Sequence, residues 1–173
     1  MRYLILVFLA VLLVSCGSTV AVDYEKGTEW TAHKGYQFFS EMDTGLNELD
    51  NKRIIRAADS ILQLRGLQRT DYNDFFINFY VEESLSNSRN TLGIGVGSGG
   101  GNVSVGGGIG IPIGGKIINQ HITIEFIEEE VGGKLIWQAI YNGELKEKAT
   151  PKQKEVYYTK VITKMLSEYP PKN

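Results

Sequence analysis

The run Gln120-His-Ile-Thr-Ile-Glu-Phe-Ile-Glu-Glu-Glu130-Val-Gly-Gly-Lys-Leu-Ile-Trp-Gln-Ala-Ile140-Tyr-Asn-Gly-Glu-Leu145 has the pattern of two strands and the turn between them. Ile122, Ile124 and Phe126 alternate with polar neighbours, and Leu135, Trp137, Ala139 and Tyr141 do the same. Two residues per repeat is the period of a strand with one buried face. Val131-Gly132-Gly133 supplies the turn, so the strands are neighbours and antiparallel. Glu128-Glu129-Glu130 falls at the mouth of that turn, where solvated charge is expected, and is not read as a metal or general-acid cluster.

Outward from this hairpin the same periods recur. Asp74 to Glu82 is a strand with Phe75, Ile77, Phe79 and Val81 on one face. Its other face carries Phe76, Asn78 and Tyr80, an aromatic content that marks either a covered surface or a patch for a partner. Val20 to Tyr24 and Gly35 to Phe39 are shorter strands. Asn47 to Arg65 is a helix, with Leu49, Ile54, Ile55, Ala58, Ile61 and Leu62 at three- and four-residue spacing and Gly66 placed to end it. Thr150-Pro-Lys-Gln153 opens a second helix with a cap, a proline at the first position and a glutamine three residues after the cap. Tyr157, Tyr158, Val161, Ile162, Met165, Leu166 and Tyr169 form its apolar side, and Pro170-Pro171 ends it.

Between Asn90 and Gly115 there is no charged residue, and more than half of the positions from Gly93 on are glycine. Leu92, Ile94 and Val96, then Val103, Val105, Ile109, Ile111 and Ile113, alternate with small residues around a turn at Ser98 to Asn102. This predicts a long glycine-rich hairpin. Gly95-Val-Gly97-Ser-Gly-Gly100 fits a dinucleotide fingerprint by letters, but no helix follows it to receive a phosphate. Gly110 to Lys116 has the spacing of a phosphate loop, yet Ile117 stands where serine or threonine is needed. Neither match carries weight in a segment this rich in glycine.

The expected architecture is α+β, with strands and helices in the order β-β-α-β-β-β-β-β-α. One antiparallel sheet of about six strands has both helices packed on one face, and the glycine-rich strands form a long hairpin.

The first residues bear on location. Arg2 precedes an apolar stretch, Tyr3 to Leu12, too short for the ~20 residues of a membrane-spanning helix and suited to a signal peptide. Leu13-Val14-Ser15-Cys16 follows, and it resembles the lipobox of bacterial lipoproteins. The resemblance implies that residues 1–15 are cleaved, that Cys16 carries lipid, and that residues 16–19 are a short tether to a single domain, 20–173. Three acyl chains on Cys16 would hold it permanently, since one chain anchors only marginally. Gly17-Ser18 lacks the aspartate that retains some lipoproteins at the inner membrane, and no acidic or lysine-rich export tag follows. The outer membrane, facing the periplasm, is the expected address.

Charge and cysteine usage exclude several function classes. The chain has 18 Lys and Arg against 20 Asp and Glu; losing Arg2 leaves a formal charge of about −3. No basic surplus points to nucleic acid, and no polybasic run points to a lipid headgroup clamp. Cys16 is the single cysteine, so lipidation leaves no thiol for a disulfide, a nucleophile or a metal. His33 and His121 are the two histidines, one in a polar connector and one at a strand start. No Gly-x-Ser-x-Gly motif, paired histidines or calcium-loop pattern accompanies them. The expectation is therefore no enzyme and no cofactor.

Several of these stretches together resemble a family. They are the lipobox, Val22-Asp-Tyr24, Asp50-Asn-Lys-Arg-Ile54 opening a helix that ends at Gly66, and the glycine-rich strands. Gly133-Lys-Leu-Ile-Trp137 and the closing Tyr169-Pro-Pro171 complete the set. The chain is similar to bacterial lipoproteins that share DUF4136, a domain of unknown function, over essentially its whole length after Cys16. Gln138-Ala139 departs from the Arg-Gly expected after the tryptophan. The resemblance implies an α+β domain and offers no catalytic residue to carry over.

Three readings of function follow. The first is a membrane-anchored, non-catalytic envelope protein holding a protein or other envelope component. Phe76, Tyr80, Trp137 and Tyr141 are its candidate partner surface, and the membrane, reached through Cys16, is its other partner. The second is a subunit of an oligomeric outer-membrane pore or secretion assembly that donates the hairpin 91–113, whose strands approach the ~9–11 residues of a membrane β-strand. Against it, Pro112 interrupts one strand and no aromatic girdle flanks them. The third, an envelope hydrolase, would need acids and tyrosines gathered in a buried pocket.

Overall fold

The structure, a computed structural model, describes residues 20–87, 91–93, 110–112, 115–128 and 133–171. In chain order these form β1 (Val20–Tyr24), β2 (Gly35–Phe38), α1 (Glu48–Leu64), β3 (Gln68–Arg69), β4 (Phe75–Asn87), β5 (Thr91–Gly93), β6 (Gly110–Pro112), β7 (Lys116–Glu128), β8 (Lys134–Lys146) and α2 (Pro151–Leu166). Six of the strands make one sheet, in the order β1-β8-β7-β4-β2-β3, and β5 pairs with β6 separately. The fold is α+β, with both helices in one core with the sheet. The expected signal segment 1–15, Cys16, the rest of the expected tether and most of the expected glycine-rich hairpin lie outside the described residues.

The sheet is mixed, and this corrects the antiparallel expectation. β2 runs parallel to both β3 and β4, while β4, β7, β8 and β1 are antiparallel in succession. The cause is the helix between β2 and β4. A 17-residue helix spans about 25 Å, enough to carry the chain back along the sheet before β4 starts, and a strand–helix–strand connection of this kind joins parallel neighbours. Asp74 fastens the two strand starts together, its carboxylate accepting from the Lys34 and Gly35 N–H groups at 2.7 Å each. Burial works to raise the Asp74 pKa, but these two N–H donors prevail and hold it below the usual value.

The helix boundaries follow local chemistry. Asn47 caps α1 by accepting from the Leu49 and Asp50 N–H groups. At the other end Gly66 adopts φ +84°, Gly66 N–H donates to the Gln63 carbonyl and Leu67 N–H to the Leu62 carbonyl, the two bonds of a Schellman motif. Leu62 and Leu67 are both buried, the apolar pair that frequently accompanies this motif. Leu49, expected on the apolar side, is 63% exposed; Asp50, Ile54, Ala57, Ala58 and Leu62 make the buried stripe instead. Thr150 and Gln153 form the expected capping box on α2, with Pro151 at its start. Gly45, in the loop leading into α1, has φ +70° and lies so close to the Val81 carbonyl that any Cβ would collide with it.

Core packing falls on one sheet face. Phe75, Ile77, Phe79 and Val81 of β4, Ile122, Ile124 and Phe126 of β7, and Trp137, Ala139 and Tyr141 of β8 meet Ile54 and Leu62 of α1 and Tyr158, Ile162 and Met165 of α2. The β4–β7 ladder is unbroken from Phe75 opposite Glu128 to Asn87 opposite Lys116. β4 thus runs five residues past the Glu82 end that alternation indicates. Beyond Glu82 polar residues obscure the period, and cross-strand pairing keeps the strand going.

One charged cluster joins the helices. Asp50 is 2% exposed and accepts from Arg53 Nη1 and Lys154 Nζ at 2.6 Å each and from Asn47 Nδ2 at 2.7 Å. Burial alone would raise its pKa; the bonds from Lys154, Asn47 and Arg53 outweigh that and lower it. A lowered carboxylate pKa contributes stability that is complete above the unfolded value near 4 and is lost as pH falls through the folded value. Asp50→Asn should therefore cost about 3 kcal/mol at neutral pH, the low end for breaking a buried pair. Urea titrations should show the gap between variant and parent closing below about pH 4.

Candidate functional site

The face of the sheet away from the helices is a set of cross-strand rows. β4 contributes Phe76, Asn78, Tyr80, Glu82 and Ser84, each opposite a β7 residue: Ile127, Glu125, Thr123, His121 and Asn119. β8 continues the rows with Gln138, Ile140, Asn142 and Glu144 beside Glu125, Thr123, His121 and Asn119. The first row is apolar, and Phe39 stacks on Phe76 with ring centroids 4.9 Å apart. In the second, Glu125 accepts from Asn78 Nδ2 and from Gln138 Nε2 at 3.0 Å each. The third places Tyr80 and Ile140 on either side of Thr123, which is itself 1% exposed. The fourth carries a 2.7 Å contact between His121 Nδ1 and Asn142 Oδ1.

This face therefore changes character along the strands. Its first three rows are aromatic, aliphatic and amide, half-buried by one another. The last two line a cleft of about 450 Å³ bordered by Glu82, Ser84, Asn119, His121, Asn142 and Glu144. On the core side of the same rows lies a polar pocket: Gln120 Nε2 donates to Glu83 Oε1 at 2.6 Å and to the Tyr158 hydroxyl at 2.9 Å. Burial pushes the Tyr158 hydroxyl up to about 12, so it stays protonated across the ordinary pH range.

Of the four residues expected to form a partner surface, Phe76 and Tyr80 stand on this helix-free face. Trp137 and Tyr141 do not: they are 0% and 8% exposed and belong to the core on the opposite face. The four do not form one surface. The reason is register, since Trp137 pairs with Phe126 and Tyr141 with Ile122, and directly paired residues share a face. Phe39, Ile127 and Ile140 complete the aromatic and aliphatic patch, Phe39 through its stacking on Phe76 and the two isoleucines through their pairing register.

A second cleft, about 430 Å³, opens at the other end of the sheet between Trp30, His33, Lys34, Arg65 and Tyr169. His33 Nε2 contacts Glu128 Oε1 at 2.9 Å, while its Nδ1 is buried with no hydrogen-bond partner among the described residues. Tyr169 is raised well above the ordinary tyrosine range, mainly by burial. His33 and His121 lie in different clefts, each paired with an acceptor. Among the described residues no group of three or more His, Cys, Asp or Glu side chains could hold a metal ion. No described helix is long and apolar enough to cross a membrane.

The two faces should differ sharply on mutation. Trp137→Ala removes the indole that touches Phe126 and Tyr169 and should cost about 3–5 kcal/mol. Tyr80→Ser, on the helix-free face, should cost about 1 kcal/mol or less. Chemical denaturation of both variants checks the assignment of faces.

Solved structures that share the fold include the following three. A PDZ domain protein from Parabacteroides distasonis matches 90% of this chain at TM-score 0.57 and 14% identity; the chain spans 36% of that protein. PelC from Paraburkholderia phytofirmans, solved as a dodecamer, matches 91% of this chain and 100% of its own, at TM-score 0.52 and 13% identity. A DUF4136 family protein from Bacteroides thetaiotaomicron matches 90% of this chain and 97% of its own, at TM-score 0.51 and 12% identity. No curated protein matches the sequence. The family model of DUF4136, a domain of unknown function, covers residues 20–171, and the chain belongs to that family.

Proposed function

We propose that the chain is a lipid-anchored envelope protein whose domain binds an envelope component through its helix-free face and catalyses no reaction. The observation that carries this reading is Leu13-Val14-Ser15-Cys16 standing immediately ahead of β1, which starts at Val20. Three intervening residues reach at most about 10 Å, so the domain is held against the membrane surface. Gly17-Ser18 supports the outer membrane as the address, with the domain in the periplasm. The half-buried patch of Phe39, Phe76, Tyr80, Ile127 and Ile140, beside a row of amides, supports recognition: aromatic anchors flanked by polar groups suit an interface.

Growth with labelled palmitate tests the anchor. Label is expected in the parent and lost from Cys16→Ser; a Cys16→Ser protein that keeps the label overturns the anchor. A photoreactive residue in place of Tyr80 tests the face. It should give a discrete adduct in intact envelopes, whereas the same group in place of Tyr72, which is 95% exposed in a loop, should not.

A second reading makes the chain one subunit of a ring that contributes the hairpin 91–113 to a pore or secretion assembly. Two observations favour it. PelC, similar in fold, is a dodecamer, and β5–β6 pairs Thr91 with Pro112 and Gly93 with Gly110. Those paired residue numbers have the same sum as every pair along β4–β7, as one continuing hairpin requires. A ring-sized native mass in mild detergent that collapses when residues 91–113 are deleted would favour this reading; a monomer in both cases would eliminate it.

A further inference from the structure

Three lysines far apart in sequence meet at one end of the sheet. Lys116 opens β7, Lys146 closes β8 opposite Ile117, and Lys148 follows in the turn toward α2. The Glu147 N–H donates to the Lys116 carbonyl at 3.0 Å and fastens that turn to the strand. Together with Gly115 and Glu147 the three lysines line a cleft of about 440 Å³. All three are exposed, and none forms an ion pair among the described residues. Glu147 is the acid within the cleft, so the local balance is positive on a chain whose net charge is −2.

Strand direction shows what else leaves the domain there. β1 is antiparallel to β8, with Val20 opposite Tyr141 and Tyr24 opposite Trp137. Going backward from Val20 therefore means going forward along β8, toward Lys146. β4 also runs toward this end, reaching Asn87 opposite Lys116. The start of β1 at Val20 and the end of β4 at Asn87 thus lie toward the same end as the lysines. The second cleft and the Glu128 end of β7 lie at the opposite end.

We propose that this end is the surface the domain turns to a bilayer, with Lys116, Lys146 and Lys148 engaging the phosphates of anionic lipid headgroups. The inference rests on the anchor proposed above, which places a membrane within about 10 Å of Val20. Charge complementarity selects the occupant: a positive cleft without internal ion pairs, next to sequence that carries no charge, matches the boundary between headgroups and hydrocarbon. Lysine suits such a boundary because its stem lies along apolar surface while its ammonium stays at the headgroup level.

Vesicle binding tests this independently of lipidation. The core lies between Tyr36 and Tyr169, so the chain from residue 16, carrying Cys16→Ser, retains it. This unlipidated protein should sediment with phosphatidylcholine vesicles containing phosphatidylglycerol, not with phosphatidylcholine alone, and less so as salt is raised. Each lysine near an anionic surface contributes about a fivefold gain in partitioning, so the triple variant Lys116→Gln, Lys146→Gln, Lys148→Gln should lose about a hundredfold at low salt. A control triple, Lys26→Gln, Lys34→Gln, Lys134→Gln, makes the same change in net charge away from this end and should retain parental binding. Equal loss in both triples, no loss in the first, or equal binding to both kinds of vesicle overturns the proposal; unchanged thermal unfolding of each variant excludes misfolding as the cause. Palmitate labelling of Cys16 reports separately on the anchor, so failure of one reading is not mistaken for failure of the other.

Discussion

The contact on which the domain depends is an aromatic junction at the end of the sheet away from the lysines. Phe126 lies between Phe75 and Trp137, with ring centroids 4.7 Å away on each side. Tyr169 meets Phe126, Trp137 and Trp30 edge-on at 4.8, 5.6 and 5.7 Å. Each such pair adds about 0.5–1.5 kcal/mol beyond the area it buries. The junction joins β4, β7, β8, the connector after β1 and the segment after α2, so distant parts of the chain are fixed at one point. Trp137 and Tyr169, which stand in two of the stretches that resemble the family, touch at this junction.

The two sheet faces divide the work differently. One is closed by helices whose starts are tied together through Asp50, Arg53 and Lys154. The other has no helix among the described residues, yet its side chains are only half-exposed because neighbouring rows cover each other. Glu125 shows how: a carboxylate in mid-sheet would favour water, but amides on both flanking strands donate to it. The face thus presents a carboxylate that its neighbours already satisfy, together with aromatic edges that are not fully covered.

Much of the architecture was legible from residue spacing. The β7–β8 hairpin, both helices, the cap of the second at Thr150, and Gly66 at the end of the first all rest on interactions within a few residues, where local chemistry decides. The parallel pairing of β2 was not legible as long as β2 was placed by its short pattern alone; the helix that follows it carried the needed information. β3, two residues long, offers no periodicity. For the candidate site, Phe76 and Tyr80 were readable from alternation in β4. Trp137 and Tyr141 were misplaced because aromatic content was weighed ahead of the face they share with Ala139. The lysine cluster left no trace as a run of charge, because it is assembled across a strand pair and a turn.

The pairing of β1 with β8 sets an order of events. Among the described residues the first strand pairs only with the last one, so the sheet cannot be completed until nearly the whole chain is available. Loop-closure entropy must be met before that contact forms. Until then β8 is an open edge and β1 has no place in the sheet. If the chain is fixed to a surface ahead of Val20, as proposed, the docking of β1 is the step that sets the orientation of the domain.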